Sequence, residues 1–77
     1  MKRRKVVYDA VKMLCIMSER EMSKELVDIW QFSLKDLLDV EIERGLYNYF
    51  IYGNSSNIPP PGIFRVFCDL DISPTIN

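Results

Sequence analysis

The chain has 77 residues and a formal net charge of −1, with 48% hydrophobic and 12% aromatic residues. This length predicts one small domain, and this hydrophobic fraction argues against wholesale disorder. The absence of histidine, and a content of only three glycines, removes the commonest general base, the commonest metal ligand and any glycine-rich phosphate loop. We therefore expect a binding protein that uses no cofactor, metal or small-molecule substrate, and not an enzyme.

The N-terminus is basic and the rest of the chain is acidic. Four of the ten basic residues come first, and all eleven acidic residues follow them. One interpretation is that this tip is a solvated, frayed end. The other is that it contacts DNA phosphates or an acidic protein face. The candidate nucleic-acid residues are Lys2, Arg3, Arg4 and Lys5.

The apolar segment behind this tip is not a signal peptide, because Asp9 and Lys12 interrupt it. No stretch of the sequence is long and apolar enough to span a membrane. We therefore expect a cytoplasmic protein whose cysteines, Cys15 and Cys68, are reduced, small buried hydrophobic residues. A disulfide between them stays open at the level of the sequence.

The first two helices are predicted from apolar residues at helical spacing. The first runs from about Arg3 to Met17, with a stripe at Val7, Ala10, Val11 and Leu14. Two N-caps compete for the second helix: Ser18, with Glu21 as a capping box, and Ser23. We place this helix from about Ser23 to Leu38, with the stripe Leu26, Ile29, Trp30, Ser33 and Leu37.

The third helix is predicted to begin at Asp39 as N-cap and to end at Gly53 as the residue after its last turn. Glu41 and Glu43 lie in the first turn, where negative charge favours the helix dipole. Gly45 shares the apolar face and permits a neighbouring helix to approach closely. That face carries Ile42, Leu46, Tyr49 and Phe50, whereas Tyr47 and Tyr52 lie off it.

The segment IPPPGIFRVFC, residues 58–68, predicts a rigid elbow followed by a short fourth helix. Residues that precede a proline favour extended backbone, and a proline fits the first turn of a helix. An apolar stripe at helical spacing then follows at Ile63, Phe64, Phe67 and Leu70. The expected architecture is all-α: one domain over residues 1–77, with three longer helices, a short C-terminal helix, and frayed ends at residues 1–5 and 71–77.

The order of Trp30 in VDIWQFSLKDL, the helix VEIERGLYNYF and the segment IPPPGIFRVFC resembles the helicase loaders of lambdoid phages, the replication protein P family. It is also similar to helicase loader and inhibitor proteins of phages of Gram-positive bacteria. The resemblance covers roughly residues 23 to 70. The residues that carry it are Trp30, Pro59, Pro60, Pro61, Gly62, Phe64 and Cys68.

This resemblance implies a non-enzymatic adaptor of phage or prophage DNA replication. Its partner would be a DnaB-type hexameric helicase or the initiator that delivers it, with any DNA contact secondary. The alternatives are an inhibitor or regulator of another host protein and a small DNA-binding protein. The candidate partner-binding residues are Trp30, Glu41, Glu43, Arg44, Tyr47 and Tyr52, and Trp30 has the alternative role of central core residue.

Overall fold

The computed structural model describes residues 4–53 and 56–69, and these segments form four helices and no strand. The helices are α1 (Lys5–Ser18), α2 (Lys24–Ser33), α3 (Asp39–Tyr52) and α4 (Pro61–Asp69). The predicted all-α bundle is confirmed. The parts of the predicted frayed ends at residues 1–3 and 71–77 lie outside the described residues.

Helix α1 ends at Ser18 because Glu19 adopts the left-handed conformation, with φ of 58°. The Ser18 hydroxyl donates to the Leu14 carbonyl within α1. Ser23 is the N-cap of α2, where its side chain accepts a hydrogen bond from the Leu26 amide. The capping box built on Ser18 is therefore wrong, and the competing N-cap at Ser23 is confirmed.

Helix α2 ends at Ser33, five residues before the predicted end at Leu38. Leu34 leaves the helical conformation, and its side chain enters the core with no exposed surface. Two arginine side chains donate hydrogen bonds to backbone carbonyls that would accept from backbone amides if the helix continued. Arg65 donates to Ser33 O and Arg4 donates to Leu34 O. Tertiary contacts from distant parts of the chain thus override the local apolar pattern.

Helix α3 begins one residue earlier than predicted, because Leu38 rather than Asp39 is the N-cap and Asp39 is the first helical residue. The Glu41 carboxylate accepts from the Leu38 amide at 2.8 Å and so satisfies a free donor of the helix start. Gly53 follows the last helical residue, as predicted. Its φ of −100° shows that it ends the helix without the left-handed conformation that glycine often adopts there.

The proline-rich elbow is confirmed as a helix entry. Pro61 is the first residue of α4, and the carbonyl of Pro60 accepts from the amides of Ile63 and Phe64. Pro59 is buried, whereas Gly62 is exposed. The elbow therefore turns the chain and starts α4 against the bundle.

The hydrophobic core is formed by buried side chains from all four helices. Trp30 and Phe64 are buried and pack edge to face with ring centroids 5.0 Å apart. Tyr49 and Phe67 form a second edge-to-face pair at 5.1 Å. Two residues assigned to apolar stripes, Ile29 and Ile63, are instead about half exposed, because they lie at the outer edge of their stripes.

Helices α3 and α4 approach each other closely at Gly45. Gly45 is buried, and a Cβ added there would lie 3.2 Å from Cys68 Cα and against its Sγ. This close approach is the role predicted for Gly45. Both cysteines are buried and free, so they are separate packing residues rather than a disulfide.

Among residues 4–53 and 56–69, no helix combines the length and apolar character needed to cross a membrane.

Candidate protein-interaction surface

Helix α3 presents three differently used sides. One side packs on α4 through Gly45, Asn48 and Tyr49. A second side, with Ile42 and Leu46, faces α1. The third side faces solvent, and it is the part of α3 that is free to meet another molecule.

The solvent side of α3 carries an apolar stripe that we call the α3 ridge: Val40, Tyr47 and Ile51. Their exposed fractions are 60%, 52% and 48%. Positions seven and four residues apart in a helix lie within about 40° of one another, so these side chains follow one line over three turns. Exposed apolar side chains that lie together on one face are a feature of interaction surfaces.

Tyr47, predicted as a partner-binding residue, lies at the middle of the α3 ridge. Tyr52 is also about half exposed, but it points toward the α4 side of α3 by its helical position. Sequence reasoning missed Val40 and Ile51. The signal that identifies them is their spacing of seven and four residues from Tyr47, opposite the buried Ile42 and Tyr49.

Two of the predicted contact residues have structural partners. The Arg44 guanidinium donates to the Cys68 carbonyl through Nε at 3.2 Å and Nη2 at 2.9 Å, and so caps the end of α4. Glu41 caps the start of α3. Glu43 is exposed, and no ion pair joins it to another residue of the described segments. Glu43 is thus the acidic residue of α3 that the fold leaves available.

Trp30 is 1% exposed and therefore offers no surface to a partner. Its placement corrects the interpretation in which it contacts another protein. The alternative, that it is the central core residue, agrees with its contact to Phe64. A tryptophan in an apolar helical stripe fits both roles, which is why the sequence does not separate them.

The described basic residues near the N-terminus are engaged within the chain. Arg4 forms an ion pair with Asp39 and donates to the Leu34 carbonyl. Lys5 pairs with Asp9 one turn along α1, at 2.7 Å, and this contact raises the lysine pKa. Lys2 and Arg3 lie outside the described residues. Arg4 and Lys5 thus each have an acidic partner within the chain.

The six residues of the family-like motif in the elbow and α4 are mainly structural. Pro59, Phe64 and Cys68 are buried, and Pro61 is half-buried. Burial raises the pKa of the Cys68 thiol to about 11, so at neutral pH it is protonated and unreactive. Only Pro60 and Gly62 of this motif are exposed.

Two buried polar residues that sequence reasoning missed hold the helices together. The Gln31 amide accepts from the Arg4 backbone N–H and donates to the Arg4 carbonyl, both at 3.0 Å. The Asn48 side chain donates to the Phe67 carbonyl at 3.0 Å. Each occupies the buried face of its helix, where a polar residue among apolar ones indicates a specific hydrogen bond.

A groove runs between α1 and α3, and we call it the α1–α3 groove. Its volume is about 390 Å³ and it is open to solvent. Its apolar floor and walls consist of Val6, Ala10, Met13, Ile42 and Leu46. Its charged rim consists of Lys5, Asp9, Asp39 and Glu43, which is three carboxylates to one ammonium.

The described segments contain no group of three or more histidine, cysteine, aspartate or glutamate side chains arranged to hold a metal ion. Comparison with known proteins finds no matching family model, no matching curated protein and no matching solved structure. Within the described residues, the exposed side of α3 and the α1–α3 groove form the candidate interaction surface.

Proposed function

We propose that this protein is a non-enzymatic adaptor that binds another protein through the solvent side of α3. The observation that carries the proposal is the α3 ridge, in which Val40, Tyr47 and Ile51 are each about half exposed or more along one face. Burying such side chains against a partner is favourable at roughly 25 cal/mol per Å² of apolar surface. A small bundle with a limited core also gains stability from a partner that covers this surface.

The proposed partner is a DnaB-type replicative helicase of the host, or the initiator that delivers it, in phage or prophage DNA replication in the cytoplasm. The support is the sequence resemblance to phage helicase loaders over residues 23–70. An adaptor of this kind acts by binding one state of the helicase more tightly than another, since equal affinity for both states changes neither population. Loading and inhibition differ only in which state the adaptor favours.

The DNA-binding alternative has less support. Arg4 and Lys5 are paired with Asp39 and Asp9, so contact with phosphate requires breaking an ion pair. The body of the chain carries all eleven acidic residues, which opposes association with a polyanion. The third alternative, a regulator of another host protein, uses the same α3 ridge and differs in the identity of the partner.

The test is a titration of the fluorescently labelled protein with the host replicative helicase, followed by anisotropy. Ile51→Asp changes the α3 ridge, and Ile29→Asp is the matched control, because Ile29 is 55% exposed on α2, which contributes no residue to the α1–α3 groove. We expect Ile51→Asp to weaken binding at least about tenfold, which is the effect of one interface hot spot, and Ile29→Asp to leave it within about twofold.

Circular dichroism of both variants checks that each remains helical. If Ile51→Asp and the unchanged protein bound the helicase with equal affinity, this would contradict the proposal that the solvent side of α3 makes the contact. Absence of helicase binding by the unchanged protein would contradict the helicase as partner.

A further inference from the structure

We infer that the α1–α3 groove receives a basic amphipathic segment of the partner protein, with an aliphatic side chain in the groove and a lysine or arginine beside Glu43. This inference rests on the proposed function, in which α3 contacts another protein. It adds the chemistry of the segment that makes the contact.

The apolar part of the groove selects an aliphatic side chain. Ile42 and Ala10 form a buried floor, with exposed fractions of 0% and 1%, while Val6 and Leu46 are half-buried and Met13 is 41% exposed. The exposed apolar surface of these half-buried walls would be removed from water when a ligand binds, which favours binding. The flexible Met13 side chain can adjust to the shape of what enters.

The rim of the groove selects a positive charge. Lys5 neutralises Asp9, and Arg4 neutralises Asp39 from outside the groove. Glu43 is the rim carboxylate that no described cation pairs with. A cation presented by a partner would find in Glu43 an exposed carboxylate that needs no existing ion pair to be broken.

The same features disfavour other occupants. An acidic peptide or a nucleic acid would bring negative charge next to Glu43, the rim carboxylate that Lys5 and Arg4 leave unpaired. A small molecule in this groove would keep one side exposed because the groove is open to solvent, whereas small-molecule sites enclose most of the ligand.

The groove is continuous with the α3 ridge, and this fits a helical occupant. Glu43 and Leu46 lie on the turn of α3 between the groove and the ridge, with Val40 and Tyr47 one step around the helix. A helix laid along this edge would cover both surfaces. Anchors three and four residues apart on such a helix would enter the groove, as in other helix-in-groove complexes.

The test uses the full chain labelled with ¹⁵N and two synthetic helical peptides of 15 residues at low salt and neutral pH. One peptide has leucine at positions three and four residues apart, so that one helical face is apolar, and lysine on the opposite face. The other has glutamate in place of every lysine. We expect the leucine–lysine peptide to shift the amide signals of Ala10, Met13, Ile42 and Leu46. We expect the leucine–glutamate peptide to leave them unchanged.

Two variants with the same change of net charge separate site binding from general attraction. Glu43→Lys changes the groove, while Glu21→Lys changes an exposed residue of the α1–α2 loop. We expect Glu43→Lys to weaken the leucine–lysine peptide about tenfold or more and Glu21→Lys to change it by about twofold or less.

Equal weakening by both variants, shifts spread over the acidic surface, or no binding would overturn the inference. The inference would also be overturned if the free protein had twice the mass of one chain and if dilution without peptide shifted the amide signals of the groove. That result would assign the groove to a second copy of the protein. Because the peptides replace the helicase, failure here leaves the proposed function to be decided by its own titration.

Discussion

Gly45 sets the distance between α3 and α4. It is buried, and the nearest backbone atoms of the facing helix, Cys68 Cα and N, lie 3.2 Å from where a Cβ would stand. A contact this short with backbone requires the two helices to move apart. Gly62, at the start of α4, has no atom within 4 Å of the equivalent position.

We therefore expect Gly45→Ala to lower the free energy of unfolding by about 1–3 kcal/mol, the usual cost of overpacking, even though alanine favours the helix. Gly62→Ala is the control, and we expect it to be neutral or to stabilise the protein by up to about 1 kcal/mol. Urea unfolding followed by circular dichroism measures both. A Gly45→Ala protein as stable as the unchanged chain would contradict the close approach.

Phe64 and Ile63 are neighbours with opposite environments. Phe64 is fully buried against Trp30, and Ile63 is 50% exposed. We expect Phe64→Ala to cost about 3–5 kcal/mol, which is enough to unfold a domain of this size, and Ile63→Ala to cost less than about 1 kcal/mol. Thermal unfolding of the two variants checks this, and similar losses would place both residues in the same environment and contradict the orientation of α4.

At the scale of the element, the end of α2 depends on α4. The Arg65 guanidinium donates to both oxygens of Asp36, at 2.8 and 3.0 Å, and to the Ser33 carbonyl at 3.0 Å. The hydrogen bond from Arg65 lowers the pKa of Asp36 below its ordinary value of 3.8. The folded protein thus binds fewer protons at this site than the unfolded chain as the pH falls.

This contact makes a testable contribution to the pH dependence of stability. Because the Asp36 pKa is lower in the folded protein than in the unfolded chain, the ionised carboxylate stabilises the fold at pH values above about 3.8. This stabilisation is lost as the pH falls from about 3.8 through the lower pKa of the folded protein. We expect Asp36→Asn to have a lower urea midpoint than the unchanged protein at pH 7, and the difference to shrink as the pH is lowered toward 3. A difference that is independent of pH would show that Asp36 acts otherwise than through its charge.

The boundaries of the elements show what local sequence determines and what it does not. The start of α2 at Ser23 and the start of α4 at Pro61 follow from capping and proline chemistry within a few residues, and both were predictable. The end of α2 was not, because the carbonyls of Ser33 and Leu34 are taken by arginines about 30 residues away. The spacing of apolar residues within one helix does not predict contacts with residues so far away in the sequence.

At the scale of the whole molecule, the sequence predicted an all-α bundle and several of the residues on its surface, but not the site they form. Tyr47 and Glu43 were identified as separate candidates. Their four-residue spacing already places them side by side on α3. The groove next to them was not predictable, because it depends on how α1 packs beside α3 and brings Met13 and Asp9 to the edge that carries Glu43. The burial of Trp30 depends likewise on the arrival of Phe64 from α4.

Light scattering after size exclusion of this protein mixed with the host replicative helicase shows directly whether the two proteins associate. We expect a peak whose mass equals the helicase plus whole copies of the 9.1 kDa chain. Separate elution of the two proteins at tens of micromolar, with this protein still helical by circular dichroism, would contradict the proposal that it is a helicase adaptor.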